Sequence, residues 1–312
     1  MIKTVVSVGL PVGEVLNIKK RTLKPEKIRG NEKRICIVTG IHGDELEGQY
    51  VCYELIRRIQ EQISCLTGIV DIYPCINPLG LEAITRGVPT FDLDMNRCFP
   101  GSADGDMVEN IADKVIDDVL GADICIDIHA SDIFIREIPQ VRISNENIEQ
   151  LFDYAMELNV DFIWAYESPT VLQATLTHTL NQHGVPTLAI EMGVGMRLTK
   201  SYGEQIVDGL FSLMKKAGIW SGEVNQVRKP IVSTDGEVEL VHAEASGIFV
   251  PDIEHWNGIR KGDAVGSIIE PITGEIKHKI LAPCSGMVFS LREYPVVYEG
   301  SLIARILGGV ES

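Results

Sequence analysis

The sequence predicts a three-layer α/β domain with a mixed, mostly parallel sheet, followed by a small all-β domain, and three observations point to that class. Up to about residue 220, short apolar runs alternate with stretches of helical periodicity, the pattern of a buried sheet covered by helices on both faces. From about Gly222 the helical pattern stops, and Gly, Pro and β-branched residues dominate. Within this second segment Ser246-Gly247-Ile248-Phe249, followed by Gly262 to Ile268, recurs as Ser285-Gly286-Met287-Val288, followed by Gly300 to Ile306. Two such units imply a two-fold-like barrel or sandwich. The expected domains are 1–221 and 222–312.

Taken in order, Met1 to Val8 reads as a first strand. Ile35 to Thr39, Ile69 to Tyr73, Ile124 to Ile128, Phe162 to Ala165 and Thr187 to Ile190 follow as core strands. Several are apolar on both faces, as buried parallel strands are. Helical periodicity falls between them over 45–62, 107–120, 146–158 and 202–217.

Composition narrows the function classes. A formal charge of −16 disfavours nucleic acid, and no basic cluster beyond Lys19-Lys20-Arg21 offsets it. An anionic substrate therefore has to be met by a few placed arginines. No stretch approaches the ~20 apolar residues that span a bilayer, and Met1 to Val8 is too short an apolar run for a signal peptide. Seven cysteines, several inside apolar runs, read as core residues in a reducing compartment. The expectation is a cytoplasmic protein.

The chemistry begins at His42-Gly43-Asp44-Glu45, directly after the first core strand. Residues three apart share a side once the chain turns helical, so His42 and Glu45 can converge at the carboxyl end of that strand, where open α/β sheets bind ligands. A catalytic zinc takes three His or carboxylate ligands and leaves a position for water. Alone, the pair is more often a helix-capping acid beside a stray His. Asp127-Ile128-His129 supplies a third ligand, because strand residues two apart face together; Asp127 can then support His129 from behind. The alternatives are a strand-end histidine with satisfied hydrogen bonds and a turn-capping acid.

Asp92 to Gly101 holds Asn96-Arg97, whose donors suit a carboxylate, although an Arg that merely ties its own loop fits as well. Arg86 is a second candidate cation. Glu191 ends an apolar strand beside Gly193; a buried Glu there can act as general base toward zinc-activated water, or simply cap the next helix. His178, His183, His242, His255 and His278 read as surface or packing residues.

In order and spacing, Gly40 to Glu45, Asn77-Pro78-Leu79-Gly80, Thr85-Arg86, Asn96 to Gly101, Asp127-Ile128-His129 and Ile190 to Gly193 resemble the succinylglutamate desuccinylase and aspartoacylase family of the zinc carboxypeptidase superfamily. The resemblance covers nearly the whole chain. It implies a zinc-carboxypeptidase-like fold with one Zn2+ per chain on His42, Glu45 and His129, and Glu191 as the base. It further implies that Asn96 and Arg97 bind substrate, that Arg86 polarises the scissile carbonyl, and that a second β domain follows, as in bacterial members.

Three departures stand out. Residues 87–95 form a longer insert than aspartoacylases show; Ala130 follows His129 where the family has Thr; and Thr177 to His183, upstream of Glu191, lacks the substrate-binding arginine of aspartoacylase. Arg136 and Arg142 are candidates for a different contact. The terminal β segment resembles the barrel-sandwich hybrid of biotinyl and lipoyl carriers, yet its turn, Pro271-Ile272-Thr273-Gly274-Glu275, has no Lys to modify. A structural or site-closing role is expected.

The resulting expectation is a zinc-dependent amidohydrolase that deacylates an N-acyl amino acid or related small amide bearing a carboxylate. Its rivals are a metallocarboxypeptidase and a non-catalytic ligand-binding or carrier protein on the same fold. Homo-oligomer formation is left open.

Overall fold

The computed structural model describes residues 1–167, 173–234 and 237–309. The first part runs β1 (Ile2–Gly9), β2 (Val15–Leu23), β3 (Arg34–Thr39), α1 (Glu47–Glu61), β4 (Ile69–Tyr73), α2 (Pro78–Ala83), α3 (Met107–Val119), β5 (Ile124–Ala130), β6 (Ile135–Ser144), α4 (Ile148–Ala155), β7 (Phe162–Tyr166), α5 (Leu176–Gln182), β8 (Thr187–Gly193) and α6 (Lys200–Lys216). No described helix is long and apolar enough to cross a membrane.

The central strands β4, β3, β5 and β8 are parallel neighbours, flanked by antiparallel β2 on one side and β6 on the other. Alternate residues of these strands feed two cores. Ile35 and Ile37 pack with Val51 and Leu55 of α1 and Leu210 of α6, whereas Cys36 and Val38 pack with Ile111 and Val115 of α3 and Leu180 of α5. That division explains the strands' continuous hydrophobicity, since both faces are covered. Helix α3 is fixed by a reciprocal cap, with Asp106 accepting from the Val108 and Glu109 amides while Glu109 accepts from the Asp106 amide.

Register sets the level of the functional ends. Val38 pairs with Asp127, and His129 with Glu191, so three adjacent strands finish at one rim. Four elements, β2, α2, β6 and α5, escape the sequence pattern. The ten-residue β6 carries Arg136, Glu137, Gln140 and Arg142 around Pro139, which is neither apolar nor alternating; α5 is a single short helix of seven residues.

After α6 every described regular element is a strand: β9 (Ile231–Thr234), β10 (Val238–His242), β11 (Gly247–Pro251), β12 (Asn257–Ile259), β13 (Ala264–Glu270), β14 (Glu275–Leu281), β15 (Gly286–Arg292), β16 (Val296–Val297) and β17 (Leu302–Gly308). The sequence repeat corresponds to two antiparallel pairs, β11 with β13 and β15 with β17. They lie in different sheets, and Phe249, Ile268, Val288 and Ile306 share the core between them. Strand β15 also pairs with β6, Ser290 opposite Glu137, so backbone hydrogen bonding runs from the first part of the chain into the second.

At the other edge, buried Lys20 of β2 lies 3.0 Å from Asp71 of β4 and 2.6 Å from Asp118 of α3. Burial pushes the ammonium's pKa down, but its bonds to Asp118 and Asp71 more than reverse this, leaving it raised. Lys20→Met, which takes the ammonium from Asp71 but leaves it Arg34 at 3.5 Å and the Thr22 hydroxyl, is expected to cost about 1–3 kcal/mol in denaturant unfolding. With a raised folded-state pKa, the stabilisation is complete below pH 10.5, the ordinary lysine value, and disappears as the pH climbs through the raised one. As the pH is raised from neutrality, wild type minus variant should therefore shrink only in strong base; a difference already shrinking near neutrality contradicts the assignment.

Candidate functional site

The segment between β3 and α1 is a tight turn rather than the helix expected from residue 45, because α1 begins only at Glu47. Within it the Glu45 amide donates to the His42 carbonyl at 3.4 Å, and the Gly43 amide to the Arg86 carbonyl at 3.3 Å. Gly43 is dictated by packing: a Cβ there would sit 1.9 Å from the carbonyl carbon of Gly80 in α2. The turn thereby achieves the convergence that a helix was expected to provide. His42 Nδ1 stands 2.7 Å from Glu45 Oε1, and His129 Nδ1 stands 2.9 Å from Glu45 Oε2.

The ligand atoms offered by these three side chains lie within 4.8 Å of one another, and all three residues are buried. Each imidazole is also held at its far nitrogen. Asp94 Oδ1 lies 3.0 Å from His42 Nε2, and Asp127 Oδ2 lies 3.1 Å from His129 Nε2. Carboxylates behind histidines fix ring orientation and raise ligand basicity, so the donor set fits a metal ion.

Charge agrees with that fit. Burial alone would raise the Glu45 carboxyl, yet His42 and His129 hold it down to about 2. Burial opposes protonation of His129, which Asp127 and Glu45 nevertheless push well above the usual histidine range; His42 is raised by Glu45 and Asp94 against the same burial. Three acids around two imidazoles create a standing demand for positive charge, which a divalent cation meets once the imidazoles lose their protons.

Asp94, like Glu137, Trp164 and Arg305, is a site residue that the sequence pattern does not single out, although it lies within the stretch 92–101. The signal was an acid two residues before Asn96; its pairing with a histidine on a distant loop was not visible in the chain order. Arg86 reaches the site despite the insert that follows it, with Nη1 at 3.1 Å from Glu45 Oε1 and Nη2 at 3.3 Å from Asp94 Oδ2. Buried Asn96 accepts the Leu176 amide at 2.9 Å and lies 3.5 Å from His129 Nε2. Arg97 is exposed and donates to the Asn96 carbonyl at 2.8 Å. No acid pairs with it among the described residues.

His42, Glu45, His129, Arg86, Asn96 and Arg97 line a cavity of about 720 Å³, together with Glu191, Arg142, Trp164, His178 and Arg305. Glu191 sits beside His129 across the β5–β8 ladder, and its Oε1 lies 3.3 Å from Arg142 Nη1. Burial raises its carboxyl pKa against the opposing pull of Arg142. Of the two arginines offered for a different contact, Arg142 therefore belongs to the cavity; Arg136 points to Glu293 at 3.9 Å and does not line it. His178, expected at the surface or in packing, does line it.

The profile of the succinylglutamate desuccinylase/aspartoacylase catalytic domain matches residues 31–217, more than half of the chain. The chain belongs to this family. It is 25% identical over 296 residues to the N-alpha-acetyl-L-2,4-diaminobutyric acid deacetylase of Halomonas elongata, covering 91% of this chain and 84% of that one. Its fold matches the product-bound ectoine utilization protein EutE (DoeB) of Ruegeria pomeroyi, with a TM-score of 0.82, 22% identity and coverage of 96% and 92%. It likewise matches a succinylglutamate desuccinylase from Silicibacter sp. TM1040, with a TM-score of 0.83, 23% identity and coverage of 96% and 92%. The desuccinylase/aspartoacylase match spans β3 to α6 and includes every residue of the His42, Glu45, His129 and Glu191 constellation.

If Asp94 and Asp127 orient the imidazoles, Asp94→Asn and Asp127→Asn should each weaken divalent-metal binding about 10- to 100-fold by calorimetric titration. Unaltered affinity in both would remove that role. Chelation should lower the melting temperature of the wild type and leave His129→Ala unmoved, since the metal stabilises only a fold that binds it.

Proposed function

We propose that the chain is a zinc-dependent amidohydrolase that removes an acyl group from an N-acyl amino acid or related small amide. One observation carries the proposal: two buried imidazoles and a carboxylate converge, each imidazole backed by an acid, beside a half-buried Glu on the next strand. Zinc on His42, Glu45 and His129 would supply a Lewis acid that polarises the amide carbonyl and makes water acidic enough to lose a proton near neutrality. The relative from Halomonas elongata, named for deacetylating an acylated amino acid, supports the deacylase reading over its carboxypeptidase rival.

The side chains divide the remaining work. Glu191, whose raised pKa brings it toward the working range, takes the proton of the attacking water and returns it to the departing amine. Arg86 lies within reach of Glu45 and helps stabilise the oxygen that becomes negative. Arg97, with no acid partner among the described residues, takes the substrate carboxylate with Asn96 beside it. Attack, charge development and amine departure occur at one carbon, so these groups must act together.

With zinc bound, Glu191→Gln should lower kcat about 10²- to 10⁴-fold while metal content is retained; a variant hydrolysing at the wild-type rate rules out the base assignment. Across a substrate panel, N-acyl amino acids should be cleaved and unblocked dipeptides left intact. Turnover of dipeptides alone would hand the site to the carboxypeptidase reading.

A further inference from the structure

Beneath the base lies a chain of charges that begins in the terminal β segment. Arg305 of β17 binds Glu137 Oε1 through Nη1. Glu137 Oε2 receives Arg142 Nη2 at 2.7 Å and Gln140 Nε2 at 3.0 Å. Arg142 then extends Nη1 to Glu191 Oε1 at 3.3 Å. Glu137 is 1% exposed, so both its oxygens are matched by donors inside the protein, and its charge is tolerable only while those donors stay.

The backbone makes the same connection. Arg305 pairs across the ladder with Ser290, and Ser290 with Glu137, so residues of β17, β15 and β6 form one row across the sheet. Ser290 is buried, and its hydroxyl lies 3.5 Å from Arg305 Nη1. Trp164 of β7 seats both cations: the Arg142 guanidinium is 5.5 Å and that of Arg305 5.9 Å from its ring. A guanidinium held over an aromatic face and tied to a carboxylate has little freedom left.

We infer that Arg305, carried by the terminal β segment, is a positioning residue for the base: it locks Glu137, which fixes Arg142, which holds the Glu191 carboxylate against the cavity. This builds on the deacylase reading and gives residues 222–312 a part in the site beyond closing it. Arg305 acts through two intermediaries and touches no reacting atom. Without it, one oxygen of a buried carboxylate loses its partner, and Glu137 draws Arg142 away from Glu191. A misplacement of about 1 Å at a reacting group can cost about 10²-fold in rate.

The test uses the full zinc-loaded chain and the N-acetyl amino acid that the wild type cleaves best. Arg305→Met should lower kcat about 10- to 100-fold with KM nearly constant and zinc content retained, and Arg305→Lys should recover much of the loss. Arg305→Met should also lower the melting temperature, and adding Glu137→Gln, which removes the stranded charge, should restore stability but not kcat. Full kcat in Arg305→Met, a loss confined to KM, or stability changes that simply add would each overturn the inference. A wild type inactive on every N-acyl amino acid defeats the deacylase reading instead, and the stability comparison still judges the Arg305–Glu137 link.

Discussion

The Glu45 carboxylate, buried and shared between two imidazoles, is the constraint on which the site depends. An ionised carboxyl out of water is costly unless nearly all its acceptor capacity is used. Here the His42 ring, the Arg86 guanidinium, the His129 ring and the Ala130 amide, the last at 3.1 Å, divide its two oxygens. These partners come from the turn after β3, the loop after α2 and the end of β5. The close approach at Gly43, the level register of β3 and β5, and the approach of Arg86 all serve that one group.

The second buried acid, Glu137, organises the opposite wall. A strand holding Arg136, Glu137, Gln140 and Arg142 in the interior of a sheet runs against the usual hydrophobic filling, and it persists because its charges neutralise one another across β6, β8 and β17. The acidic overall balance of the chain says nothing of this. Of the four arginines at the cavity, Arg86, Arg142 and Arg305 are bound to acids, while Arg97 has no acid partner among the described residues and is left to meet a small anion.

Much of the first part of the fold was legible along the chain. Strands β3, β4, β5, β7 and β8 begin and end within about three residues of the apolar runs that announced them, because strands covered on both faces must be continuously apolar. Strand β6 was not legible, since its inward residues are polar for the sake of the site and its Pro139 reads as a breaker. The helix expected from residue 45 starts two residues later: the periodicity of 47–61 is genuine, but packing against Gly80 bends the preceding turn.

By itself the sequence determined the chemistry on offer: which residues are candidates to hold a metal, which acid is a candidate to move a proton, and that an apolar parallel sheet carries them, because residue type and local spacing are properties of the chain. Tertiary structure alone decided which acid stands behind which histidine, that Arg142 rather than Arg136 meets Glu191, and that Arg305 enters the cavity wall from the other end of the molecule. Those choices rest on strand register and on the pairing of buried charges. Both arise between segments far apart in sequence and leave no local periodicity to read.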